Sequence, residues 1–131
     1  MSAPAGAPFA PGRHAIEAYG GGGFRFAGMR RQGAILATPQ GIRAIEAATL
    51  NEVTEETLSA LFAELQDAPG SIELLILGTG EKLSRPTRAL AERIRAAGLR
   101  FEPMATGPAS RVYNVLLDEG RRVAALLLPA P

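Results

Sequence analysis

Three features of this chain predict an α/β fold, with helices laid against a β-sheet and an antiparallel meander toward the N-terminus. The run from Leu74 to Leu77 is apolar without alternation, so both faces of that strand should be covered. Ahead of it, Leu58, Leu61, Phe62 and Leu65 fall at i, i+3, i+4 and i+7, the spacing of one helical stripe. Earlier still, short strand-like segments are divided by glycine-rich turns. A strand, that helix and the central strand make a βαβ unit, which favours a right-handed crossover.

Residues 1–12 are mostly Ala, Pro and Gly with little to bury, so they are expected to form a flexible N-terminal segment, leaving 13–131 as a single α/β domain. His14 to Tyr19 alternates weakly and reads as a short strand stopped by Gly20 to Gly23. A phosphate loop needs Lys and then Ser or Thr after its closing glycine; Phe24 follows here, so a turn is the better reading. Phe24 and Phe26 flank Arg25 at period 2, as in a strand edge. Arg30 and Arg31 are read as a solvated connection, Gly33 to Thr38 as an apolar strand, and Pro39, Gln40 and Gly41 as a turn into Ile42 to Ile45.

Thr54 is placed as the N-cap of the first helix, with Glu55 and Glu56 where the helix dipole favours negative charge and Pro69 and Gly70 at its end. Past the central strand, Gly78 and Gly80 permit a sharp turn, and Ser84, Arg85 and Pro86 read as cap and first turn of a second helix. That helix is expected to bury Leu83, Leu90, Ile94 and Ala97 and to stop at Gly98. Leu99 to Glu102 reads as a strand. Thr106 is assigned as cap of a third helix from about Pro108 to Glu119, with Gly120 as its stop, and Val123 to Leu128 as a last, buried strand.

Composition narrows the function classes. The chain has 131 residues, one domain's worth, and 47% hydrophobic against 21% charged residues, an ordinary globular balance. With 14 basic and 13 acidic residues there is no field to attract nucleic acid or an anionic membrane. The absence of cysteine removes disulfides, thiolate metal sites and cysteine nucleophiles, and the lone His14 cannot build a histidine-rich metal centre. No metal and no cofactor are expected. No secretory signal pattern opens the chain and no apolar run approaches the ~18 residues of a membrane span, so a cytoplasmic location is expected, at most peripheral to the inner membrane through partners.

The residues Met104, Thr106, Ala109, Tyr113, Asn114, Leu116, Glu119, Gly120 and Arg121 keep a specific order and spacing. Together with Phe24, Arg25 and Phe26, Gly33, the Pro39 to Gly41 turn and the Gly78 to Gly80 turn, they resemble the family called domain of unknown function 498, over about Tyr19 to Pro129. The resemblance implies a three-layer α/β fold with a mixed central sheet. Because the family's mitochondrial member is a respiratory complex I assembly factor, it also implies protein partners in the assembly of a membrane complex. It implies no established catalytic residues; Val112 and Ser110 stand where many relatives have a hydroxyl-bearing residue and a cysteine.

In open α/β sheets ligands sit outside the carboxyl ends of strands. The candidate ligand or partner cleft is therefore drawn between Gly78, Thr79, Gly80 and Lys82 on one side and Thr106, Ser110, Arg111, Tyr113 and Asn114 on the other. A helix N-terminus presents free N–H groups, and Lys82 or Arg111 would add charge, so a small anion, carboxylate or phosphate, suits it. The competing reading is that Thr106 caps a helix and that Tyr113 and Asn114 satisfy buried backbone groups. No catalytic residue is assigned: Ser110 has no histidine beside it, and adjacent carboxylates such as Asp118 and Glu119 point apart on a helix. Two functions are carried forward. One is a non-enzymatic assembly or chaperone-like factor for a membrane complex; the alternative is a small-anion or metabolite binder, or enzyme, using that cleft.

Overall fold

The computed structural model describes residues 9–131. Within them the strands are β1 (Ala10–Pro11), β2 (Ile16–Gly20), β3 (Gly23–Phe26), β4 (Met29–Gln32), β5 (Ala34–Thr38), β6 (Gly41–Ile45), β7 (Leu74–Gly78), β8 (Arg100–Met104) and β9 (Val123–Leu127). The helices are α1 (Ser59–Asp67), α2 (Arg88–Ala96) and α3 (Thr106–Asp118).

Six strands form one mixed sheet in the order β1-β6-β5-β9-β7-β8. β7 runs parallel to both β8 and β9, whereas the β9–β5, β5–β6 and β6–β1 pairs are antiparallel. The other three strands, β2-β3-β4, make a separate antiparallel sheet, so the expected meander is present but passes at Gly33 from one sheet to the other.

Alternation along the inner strands explains the layers. Leu36 of β5, Leu75 and Leu77 of β7 and Leu126 of β9 join one core with α1 and α2; Ile35, Ile76 and Leu127 join the other with α3 and the small sheet. The result is three layers with both sheet faces buried, as a run without polar alternation requires. Leu75, Ile76 and Leu77 are wholly buried, each worth about 1.5–3 kcal/mol by area removed from water.

The glycine run resolves into a hairpin. Gly20 pairs with Gly23, and Gly21 and Gly22 between them have φ of 61° and 79°, the positive values a two-residue primed turn demands. The next hairpin uses Ala27 and Gly28, and Ala27 takes φ 50°, a strained value for alanine.

Five local expectations are corrected. Phe9 to Gly12 are held at the sheet edge, where the Phe9 amide donates to Ile42 O at 2.6 Å and the Gly12 amide to Gln40 O at 2.8 Å; the remainder of segment 1–12 lies outside the described residues. Arg30 and Arg31 belong to β4, whose side chains are mostly solvated, so no apolar alternation announces it. Thr54 caps only a turn, its hydroxyl accepting the Thr57 amide at 3.3 Å, and α1 begins at Ser59. Thr87, not Ser84, caps α2 by accepting the Leu90 amide, which leaves Leu83 outside the helix and 56% exposed. Thr106 is not a cap either: Ala105 holds that position and Thr106 is the first residue of α3.

Other expectations hold in detail. Leu58, Leu61, Phe62 and Leu65 are buried, and Arg93 of α2 ties down that stripe by stacking on Phe62 at 3.9 Å while bonding Glu55 at 2.7 Å. Gly98 and Gly120, at φ 86° and 74°, end α2 and α3; each closes with paired backbone bonds back into the last turn.

Candidate functional site

The Thr106 hydroxyl is the centre of the region where β7, β9 and α3 end or begin. It donates to Leu128 O at 2.8 Å and accepts the Gly80 amide at 2.9 Å, while the Thr106 amide donates to Gly80 O at 2.8 Å. The turn and the start of α3 are thus bonded directly to each other. Gly80 can make this contact because its φ is 100°, and Gly78 because a Cβ there would lie 2.8 Å from Leu127 Cδ2.

The other hydroxyls are likewise occupied. Thr79 Oγ1 donates to Lys82 O at 2.7 Å and accepts the Ser84 amide at 2.9 Å, which shapes the loop. Ser110 Oγ donates to Thr106 O at 2.9 Å, one turn back along α3. Thr79, Thr106 and Ser110 are all buried. Asn114 reaches across layers: its Oδ1 accepts the Ile16 amide and its Nδ2 donates to Ile16 O, both at 2.8 Å. That exchange joins α3 to β2 as a strand would. Tyr113 is buried among apolar side chains, and this burial pushes its phenol up to about 12, an effect the positive charge of Arg13 partly opposes.

The nine candidate residues therefore divide. Gly78, Thr79, Gly80 and Thr106 form an interior joint. Ser110, Arg111 and Asn114 border an open hollow of about 340 Å³, which Glu17 and Tyr19 also line. Tyr113 lies inward of that hollow in the core, and Lys82 lies on the exposed loop outside it. Lys82 and Arg111 are both exposed and make no ion pair among the described residues.

Sequence reasoning missed Tyr19. Its ring lies over Gly107, where an added Cβ would collide with the phenol oxygen, so glycine at the start of α3 is what admits the ring. An aromatic residue immediately before a glycine hairpin was the available signal. Among the described residues, no group of three or more Asp, Glu or His side chains converges as a metal site requires.

Residues 16–128 match the family described as "Protein of unknown function (DUF498/DUF598)". The chain belongs to that family. A DUF498 relative, an uncharacterized protein of Rhodobacter capsulatus, is 38% identical over 116 residues, covering 88% of this chain and 85% of that one. The NADH dehydrogenase [ubiquinone] 1 alpha subcomplex assembly factor 3 of Mus musculus is 32% identical over 116 residues; the match covers 88% of this DUF498 chain and 60% of the assembly factor. A crystal structure from Bartonella henselae, described as an outer membrane protein, superposes with TM-score 0.85 at 40% identity, over 93% of this chain and 99% of that one. In this DUF498 member no helix among the described residues is long and apolar enough to cross a membrane.

Proposed function

We propose that this protein is a non-enzymatic assembly or chaperone-like factor that acts through protein contacts in the biogenesis of a membrane complex, respiratory complex I in organisms that have one. The observation that carries the reading is its 32% identity to assembly factor 3 of Mus musculus across 88% of the chain. The site chemistry agrees with it. The hydroxyls that would serve a reaction bond to the protein's own backbone, through Thr79, Thr106 and Ser110. On this reading the protein works in the cytoplasm and meets the membrane through its partners.

The test is affinity capture of the tagged chain from its native cells. Recovery of respiratory-complex subunits or membrane-insertion proteins is the expected result. Their absence from the captured set, in cells that are assembling the complex, overturns the reading.

One observation favours a second reading, a small-anion or metabolite binder or enzyme: exposed Arg111, which forms no ion pair among the described residues, stands beside the 340 Å³ hollow. Titration with inorganic phosphate and with small carboxylates checks it. Saturable binding that Arg111→Ala abolishes supports this alternative, and no saturation removes it.

A further inference from the structure

We propose that the outer edge of β8 is a docking site for an extended, acidic segment of a partner protein, which adds to the six-stranded sheet as a further strand. The proposal rests on reading this protein as one that works by protein contacts, and it names the surface and the chemistry of the partner.

β8 is the last strand of the large sheet, and its neighbour β7 occupies only one of its edges. The hydrogen-bond phase says what the other edge offers. The Arg100 amide donates to Glu73 O and the Thr79 amide donates to Met104 O. With Leu74 opposite Arg100 and Gly78 opposite Met104 in a parallel ladder, Arg100, Glu102 and Met104 therefore bond toward β7. The N–H and C=O of Phe101 and the C=O of Pro103 point outward, where an incoming strand would find one donor and two acceptors. Pro103 stands where its missing N–H removes nothing from the ladder. It also shortens the free edge, so the site suits a short segment and resists indiscriminate sheet extension.

The side chains around this edge select charge. A groove of about 590 Å³ runs along it, bordered by Arg85, Arg95 and Arg100 against one acid, Glu102. None of the three arginines forms an ion pair among the described residues. Arg95 is stacked 5.0 Å over the Phe101 ring, which orders its guanidinium beside the free backbone groups. Side chains of an added strand alternate between its two faces. Acids on one face would meet Arg95 and Arg85, and on the other Arg100.

A second copy of this chain fits less well. Two edges paired antiparallel about Phe101 would set Arg100 of each copy opposite Glu102 of the other on one face, but on the other face would bring both copies of Arg85 and Arg95 together with no acid among the groove's lining residues to separate them. Charge complementarity therefore selects an acidic peptide.

The experiment titrates the full chain with a fluorescent, end-capped heptapeptide alternating glutamate and valine, and with its lysine counterpart. The expected result is saturable binding of the acidic peptide alone. Binding should weaken at least about tenfold in an Arg85→Glu, Arg95→Glu double variant and be unchanged in Arg88→Glu, which lies on α2 outside the groove. Hydrogen exchange should slow at the Phe101 amide when the peptide binds. Equal binding of both peptides, binding indifferent to the double variant, or protection elsewhere overturns the proposal. So does a dimer in sedimentation that protects the β8 amides. If capture still recovers assembly proteins with the double variant as with wild type, the edge is excluded while the assembly reading stands.

Discussion

The hydroxyl of Thr106 accepts the amide of Gly80 at 2.9 Å, so a side chain opening α3 completes the turn that follows β7. The same oxygen donates to Leu128 O at 2.8 Å, which makes one fully buried atom the link between two strands and a helix. Thr106→Val should leave two buried backbone groups without partners and lower stability by about 2–3 kcal/mol, whereas Thr106→Ser should stay within about 1 kcal/mol. Urea unfolding of the two variants measures the difference.

Asn114 is the corresponding link between α3 and the small sheet. Asn114→Ala removes both bonds to Ile16 and should cost about 2 kcal/mol, with faster amide exchange in β2. Asn114→Asp keeps an acceptor for the Ile16 amide but loses the donor to Ile16 O, and should fall between wild type and alanine. Exchange rates that leave β2 as protected as before would show that the sheet is held by other means.

Gly78 and Gly98 separate packing from backbone strain. At Gly78 a Cβ would press on Leu127 Cδ2 at 2.8 Å and on Ala109 Cβ and Thr106 Oγ1 at 3.2 Å. Gly78→Ala should therefore cost about 1–3 kcal/mol as overpacking. At Gly98 nothing lies within 4 Å, and the cost of Gly98→Ala is the positive φ of 86° alone, about 1 kcal/mol. Thermal unfolding of the pair tests the order.

Ala27 is a site for gain. It holds φ 50° in an exposed hairpin beside Gly28, where asparagine tolerates the conformation better. Ala27→Asn should raise stability by about 0.5–1 kcal/mol, and an unchanged urea midpoint would count against strain at this turn.

Glu73 sets an acid-side dependence. Hydrogen bonding from Arg121 holds its carboxyl below the ordinary value of 4.5; burial opposes this and the charge of Arg122 reinforces it. The folded value lies below the unfolded one, so this contribution is present above 4.5 and is lost as pH falls through the lowered value. Wild type should exceed Glu73→Gln in stability near neutral pH and converge with it in acid. Equal pH profiles for the two proteins would remove Glu73 from the account.

What could be read from the chain followed the range of the forces involved. The stripe from Leu58 to Leu65, the buried run of β7 and the stops at Gly98 and Gly120 are local patterns, and each appears where its spacing puts it. Thr106 was misread because a hydroxyl ahead of a helical pattern looks like a cap, while its actual partners, Gly80 and Leu128, are 26 and 22 residues away. Asn114 meets Ile16 across 98 residues, a distance no local pattern spans. β4 was missed for a different reason: it is an edge strand with exposed arginines, so burial leaves no periodic mark on it.

β9 lies between β5 and β7, yet it follows every other strand in the chain. During synthesis the antiparallel hairpin of β5 and β6 and the parallel pair of β7 and β8 both precede the strand that unites them. Until Val123 to Leu127 arrives, the nascent protein carries two half-sheets with apolar inner edges that have no neighbour. A polypeptide cut short before that segment would therefore be a client for chaperones and proteases rather than a slightly shortened protein, because the two half-sheets have nothing else to join them.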